Sequence, residues 1–184
     1  MAPEPAPLVR PARWWWWQGV GLHDEAARQL GAALHGNSSL HSLEVGGNPD
    51  IGEHGLRALA QGLRGSGLRT LGLDSNGLRD SCGSTLAGLL RDCASLRTLR
   101  LQHNRLADGA AAAIADALES DAGAAVTVGG LRELLLQHNS VGDRGARALQ
   151  AAAEASTSLE IVDLRFNLVT SSSLLAAIAA ACRA

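Results

Sequence analysis

Hydrophobic residues recur along this chain in a fixed frame that ends each time on an asparagine. Leu40, Leu43, Val45 and Asn48 open the series, and Leu68, Leu71, Leu73 and Asn76 follow. Leu96, Leu99, Leu101 and Asn104 come next, then Leu131, Leu134, Leu136 and Asn139, then Leu159, Val162, Leu164 and Asn167. The asparagines lie 28, 28, 35 and 28 residues apart, and only Asn37 of the chain's six falls outside the frame. The last two apolar positions of each unit are two residues apart, which puts them on one face of a short strand. A sharp turn after such a strand leaves backbone groups unpaired, and a short amide side chain can satisfy them. Beyond each asparagine comes an apolar residue (Ile51, Leu78, Leu106, Val141, Val169) and, in four units, a glycine (Gly55, Gly83, Gly109, Gly145). A helical stretch follows: Ala110, Ala113, Ile114, Ala117 and Leu118 recur at three- and four-residue steps, one apolar stripe on one helix face. The pattern predicts strand, turn and helix in every unit.

The frame L-x-x-L-x-L-x-x-N is the sequence signature of leucine-rich repeats. Units of 28 residues that contain a full helix resemble the ribonuclease-inhibitor class, the class also found in NOD-like receptors and in GTPase activators for Ran. The resemblance covers Leu22 to Ala184. It implies an α/β fold: a horseshoe solenoid of about five and a half repeats, with a parallel β-sheet on the concave face and α-helices on the convex face. The expected organisation is a Pro/Trp-rich atypical segment over 1–19 and a repeat domain over 20–184. The domain divides into a partial repeat 20–39 and repeats 40–67, 68–95, 96–130, 131–158 and 159–184, with an insertion near 119–130. No single unit can hide its own apolar faces, so stability must come from stacking neighbours.

The two ends depart from the frame. Residues 1–19 hold four of the five prolines and then Trp14, Trp15, Trp16 and Trp17 in a row. As a strand the run would place two rings on each side; as a cap it would cover the open end of the solenoid. The segment from Val20, with Ala26, Ala27, Leu30 and Leu34, reads as the second half of a repeat whose own strand is missing or degenerate. At the other end Ala176 to Ala184 is apolar where repeat arrays normally carry a polar cap, so end-to-end association is open to this chain.

Composition removes whole classes of function. The chain has no lysine and no tyrosine, and all 16 of its basic residues are arginine. A phosphate-binding loop and a Schiff-base enzyme both need an amine, so both are excluded. Net charge −2 argues against a nucleic-acid binder. Cys82, Cys93 and Cys182 are odd in number and lack metal-ligand spacing, and they read as small apolar residues in a reducing compartment. No run of apolar residues is long enough to span a membrane, and a cytoplasmic location is the default. No catalytic residue, cofactor or metal is expected. His103 and His138, each preceding a repeat asparagine on adjacent strands, come nearest to a metal pair but lack further ligands, since Ser75 and Phe166 hold the equivalent positions.

The stronger signal is the outward face of the sheet, where the non-leucine positions of each strand form columns. One column reads His41, Arg69, Arg97, Arg132, Glu160; another reads Glu44, Gly72, Arg100, Leu135, Asp163. Arg165 and Phe166 end the two columns beyond. Three arginines in one column, with Arg100 beside them, repel unless solvated or answered by an acidic partner. Leu135 and Phe166 are apolar where the side chain should meet water, as interface anchors do. Arg69, Arg97, Arg100, Arg132, Leu135, Asp163, Arg165 and Phe166 are therefore the expected partner-binding residues, and Asn48, Asn76, Asn104, Asn139 and Asn167 the structural ones. The function expected is a non-enzymatic protein-interaction module or scaffold. Two alternatives stand beside it: a regulator of a small GTPase, which the family resemblance alone implies, and a subunit of a larger array stacked through uncapped ends.

Overall fold

The computed structural model describes residues 13–119 and 130–182. Within them the chain runs β1 (Trp14–Trp16), α1 (Asp24–Leu34), β2 (Ser42–Glu44), α2 (Glu53–Gly62), β3 (Thr70–Gly72) and α3 (Gly83–Asp92). It continues with β4 (Thr98–Arg100), α4 (Asp108–Glu119), β5 (Glu133–Leu135), α5 (Asp143–Ala155), β6 (Ile161–Asp163) and α6 (Ser172–Ala181). The six strands pair in chain order as one parallel sheet. The register matches the repeat frame, with Leu43, Leu71, Leu99, Leu134 and Val162 partnered across neighbouring strands. An α/β leucine-rich repeat solenoid is the architecture.

The interior is built from the frame. Leu43, Leu71, Leu99 and Leu134 are each at most 1% exposed, as are Val45, Leu73, Leu101 and Leu136. Each such leucine contributes roughly 1.5–3 kcal/mol by leaving water. The frame asparagines close the turns. Asn104 Nδ2 donates to the Leu101 carbonyl of its own strand (3.0 Å) and to the Leu73 carbonyl of the preceding one (2.9 Å). Its Oδ1 accepts from the N–H groups of Asn76 and Leu78, both at 3.2 Å. Asn139 and Asn167 bridge their predecessors in the same way. The amide thus joins two repeats as well as turning one.

A second ladder runs along the helix N-termini, where unpaired N–H groups need acceptors. Asp24 Oδ1 accepts from Gly52 N (2.8 Å) and Gly55 N (2.9 Å) at the start of α2. Asp80 does the same for Ala107 and Ala110, Asp108 for Gly142 and Gly145, and Asp143 for Thr170. Four helices, α2, α4, α5 and α6, are thus capped by the repeat before them, whereas α1 takes its cap from its own His23 and α3 has no side-chain cap.

The tryptophan run corrects the expected N-terminal boundary. Trp14, Trp15 and Trp16 pair with Ser42, Leu43 and Glu44, so the sheet begins before residue 20 and α1 has its own strand. Asn48 Nδ2 donates to the Trp17 carbonyl and its Oδ1 accepts from Leu22 N, the same links that join later repeats. Trp15 packs against the core in the leucine column, while Trp14 and Trp16 face outward. The half repeat therefore has a strand of its own, with Trp15 in the leucine slot and Val20 where later repeats carry asparagine. The expected insertion falls largely on residues 120–129, outside the described residues.

Cys82 and Cys93 are buried free thiols and Cys182 is half-buried. Burial pushes the Cys93 thiol up to about 11, and its Sγ donates to the Leu63 carbonyl. Among the described residues no helix is long and apolar enough to cross a membrane.

Candidate partner-binding site

The outward columns form one continuous surface. Backbone bonds from Arg97 N to Arg69 O and from Arg132 N to Arg97 O, each 2.8 Å, place the three arginines on successive strands. Their side chains do not form an unanswered positive stripe. Arg132 meets Glu160 at 2.8 Å. Arg100 meets Glu44 at 3.2 Å across two strand spacings, because Gly72 lies between them. A Cβ at Gly72 would collide with the Glu44 carboxylate, so this glycine is what lets the pair form. Arg97 folds back on the carbonyls of Leu96 and Ala94, and Arg69 has no ion-pair partner among the described residues. Asp163 accepts from Gln137 at 2.6 Å and pairs with Arg165 at 2.7 Å. The acidic answer to Arg100 and Arg132 comes from within the chain.

Charge follows these contacts. Burial raises the Glu44 pKa, with Arg100 opposing and Asp74 adding to it. Burial also pushes Asp163 up, but the bonds and charge of Arg165 and the amide of Gln137 outweigh it, and its pKa lies below the usual carboxylate value.

Aromatic rings occupy the end of the strands. His103 and His138 stack with centroids 4.2 Å apart and planes 12° apart, and His138 and Phe166 stack at 4.3 Å and 10°. The stack is exposed, with Phe166 at 70%. Imidazole lone pairs lie in the ring plane, so two parallel rings cannot both point at one ion. Among the described residues no group of three or more His, Cys, Asp or Glu is placed to hold a metal.

The backbone beneath the stack is strained. Ser75, His103, His138 and Phe166 have φ of 55°, 53°, 55° and 59°, and Gly19 and Gly47, which hold the same column, have 63° and 68°. The turn demands the left-handed region, where glycine sits at no cost and a bulky residue pays about 1 kcal/mol or more. The first two repeats use glycine there, and the last three use rings. Leu135 lies half-buried on β5 between Arg100 and Asp163, and Ile161 and Leu168 are 45% and 65% exposed. Sequence reasoning missed Trp14 and Trp16 on this face; four identical residues in a row show no alternation, and the available signal was their distance of 28 residues, one repeat, from Ser42 and Glu44.

A leucine-rich repeat family model matches residues 36–60, 92–115 and 131–149. Tonsoku-like proteins of Mus musculus and Bos taurus are 42% and 41% identical over 88 residues, which is 46% of this chain and 6% of each relative. A ribonuclease inhibitor of Sus scrofa is 40% identical over 95 residues, 50% of this chain and 21% of that protein. The matched stretch is thus a small part of each relative's own length. With the repeat frame, the parallel sheet and the asparagine ladder, these matches identify the chain as a leucine-rich repeat protein of the ribonuclease-inhibitor-like class.

Proposed function

We propose that this protein binds a protein partner through its concave sheet face, with the Phe166 end as the main anchor. Phe166 carries the argument. It is a bulky residue in the left-handed region and 70% exposed, and both features cost stability. Residues held against their own preference in this way cluster where a surface is used. The ring stack fixes the orientation of Phe166 before contact, which lowers the entropy lost on binding. Leu135 and Ile161 add apolar surface on the last two strands, and Arg69 and Arg97 offer guanidinium groups that meet no carboxylate among the described residues. Arg132 is held by Glu160 in an exposed pair worth under about 1 kcal/mol, and Arg100 and Arg165 are the exposed members of pairs with the half-buried Glu44 and Asp163, so a partner's carboxylate could reach all three guanidinium groups.

The test is affinity capture from native lysate with the full chain beside a Phe166→Ala, Arg97→Glu variant of matched melting temperature. Proteins retained by the parent and lost by the variant are the expected result; identical sets from both would remove the proposal.

One observation favours a second reading, stacking through the β6 end. Val162 is half-buried where interior leucines are fully buried, Leu168 and Leu175 are exposed, and α6 has no charged residue. Sedimentation over a range of concentrations tests it, and a monomer throughout would set it aside. The GTPase-regulator alternative rests on the family resemblance alone, and no described side chain favours it.

A further inference from the structure

We propose that Trp14, Trp16 and Asp74 form a site for a cationic side chain, a lysine or arginine carried by a basic segment of the partner. The inference rests on the reading of the concave face as the recognition surface, and it concerns the opposite end of that face from Phe166.

Trp14 and Trp16 stand two residues apart on the outward side of β1, 72% and 74% exposed. Water is a poor solvent for an indole, and two such rings on one rigid edge strand make an unusual surface. The Trp16 Nε1 group donates to Gln18 Oε1 at 3.1 Å. That bond occupies the ring's polar edge and holds its orientation, so the π face is what remains for a ligand. An indole face attracts a cation more strongly than any other side-chain ring.

The negative charge comes from Asp74. Its carboxylate leans toward β1, over Gly46, where a Cβ would lie 2.6 Å from Asp74 Oδ1. Gly46 in turn is tied to the segment after β1, accepting from Gly19 N at 3.0 Å. Asp74 is half-buried, and its carboxylate has no hydrogen-bond or ion-pair partner among the described residues. Glu44, Glu160 and Asp163 on the same face are each held by an arginine. Glu133 also has no ion-pair partner among the described residues, but its neighbours across the sheet are Thr98 and Ile161, and it has no ring beside it. Asp74 is the uncommitted carboxylate on the β1 side of the face: it lies over Gly46, two residues beyond Glu44, the sheet partner of Trp16. An apolar ligand there would further desolvate Asp74 without compensating it, whereas a cation satisfies both the carboxylate and the rings.

The chain's four tryptophans are consecutive and it has no tyrosine, so intrinsic fluorescence reports on this edge alone. The full chain is titrated at low salt with acetylated, amidated tetralysine and, separately, tetraglutamate. Tetralysine should change the emission saturably below about 10 mM, and Asp74→Asn should weaken that binding at least about fivefold. Asp74→Asn keeps the shape of the side chain, and unchanged circular dichroism would confirm its fold. Phe166→Ala should bind tetralysine as the parent does. No saturable change, an equal response to tetraglutamate, or an Asp74→Asn variant that binds as the parent does would each overturn the proposal. If the Phe166 variant still loses captured partners in those cases, this site fails and the wider reading of the face stands.

Discussion

Leu43, Leu71, Leu99 and Leu134 lie one beside another on the inner face of the sheet, alike in size and buried, whereas Glu44, Gly72, Arg100 and Leu135, the next residues along the same strands, share neither charge nor size. The inner face must match itself from repeat to repeat, because each leucine is packed by the leucines of its neighbours. The outer face carries no such constraint and can be spent on recognition. Phe166 marks the contrast most sharply, since it occupies a turn position that glycine fills without strain in the first two repeats.

Substitutions on the two faces should therefore separate. Leu99→Ala leaves a cavity at a fully buried central position and should cost about 2–5 kcal/mol by denaturant unfolding. Next is Asp108→Ala, which takes the acceptor from two N–H groups at the start of α5 and should cost about 1–2 kcal/mol. Outer-face changes should be smaller. Arg132→Gln breaks an exposed pair and should cost less than about 1 kcal/mol. Glu44 supplies a pH test of the same ranking. Its pKa is raised above the usual 4.5, chiefly by burial, so the native state holds that proton more tightly than the unfolded chain. Its contribution to stability should be largest at and below pH 4.5 and should fall as pH rises through the native value. Melting curves of the parent against Glu44→Gln should show the parent losing ground across that window, by less than about 1 kcal/mol. A parent that gains ground there would reverse the assigned sign.

The inner face was legible in the sequence because burial imposes a period. Five asparagines and their leucines fix the strands, the turns and the register, all of which the structure holds. The first strand was hidden by residue identity, since tryptophan replaces leucine while the alternation in and out of the core persists at Trp14, Trp15 and Trp16. The acidic caps had a signal, an aspartate four residues after Asn76, Asn104 and Asn139, whose meaning depends on a neighbouring repeat. The outer face was legible only as columns of residue types. Which arginines are answered depends on reach across strands, as when Glu44 passes over Gly72 to Arg100, and no linear spacing encodes that. The adjacency of His103 and His138 could be read, but the parallel stacking of their rings could not.

His103 and Asn104 are neighbours in sequence that belong to the two different faces, so a thermal melt of His103→Gly beside Asn104→Ala tests the division most directly. Asn104→Ala strands the N–H groups of Asn76 and Leu78 and the carbonyls of Leu73 and Leu101, and should cost about 3 kcal/mol, near 6–12 °C in Tm for a chain of this size. His103→Gly gives up one ring contact but relieves a left-handed φ, and should leave Tm within about 3 °C of the parent. Equal losses from the two variants, or a larger loss at His103, would contradict a fold held by the inner face with an outer face free for binding.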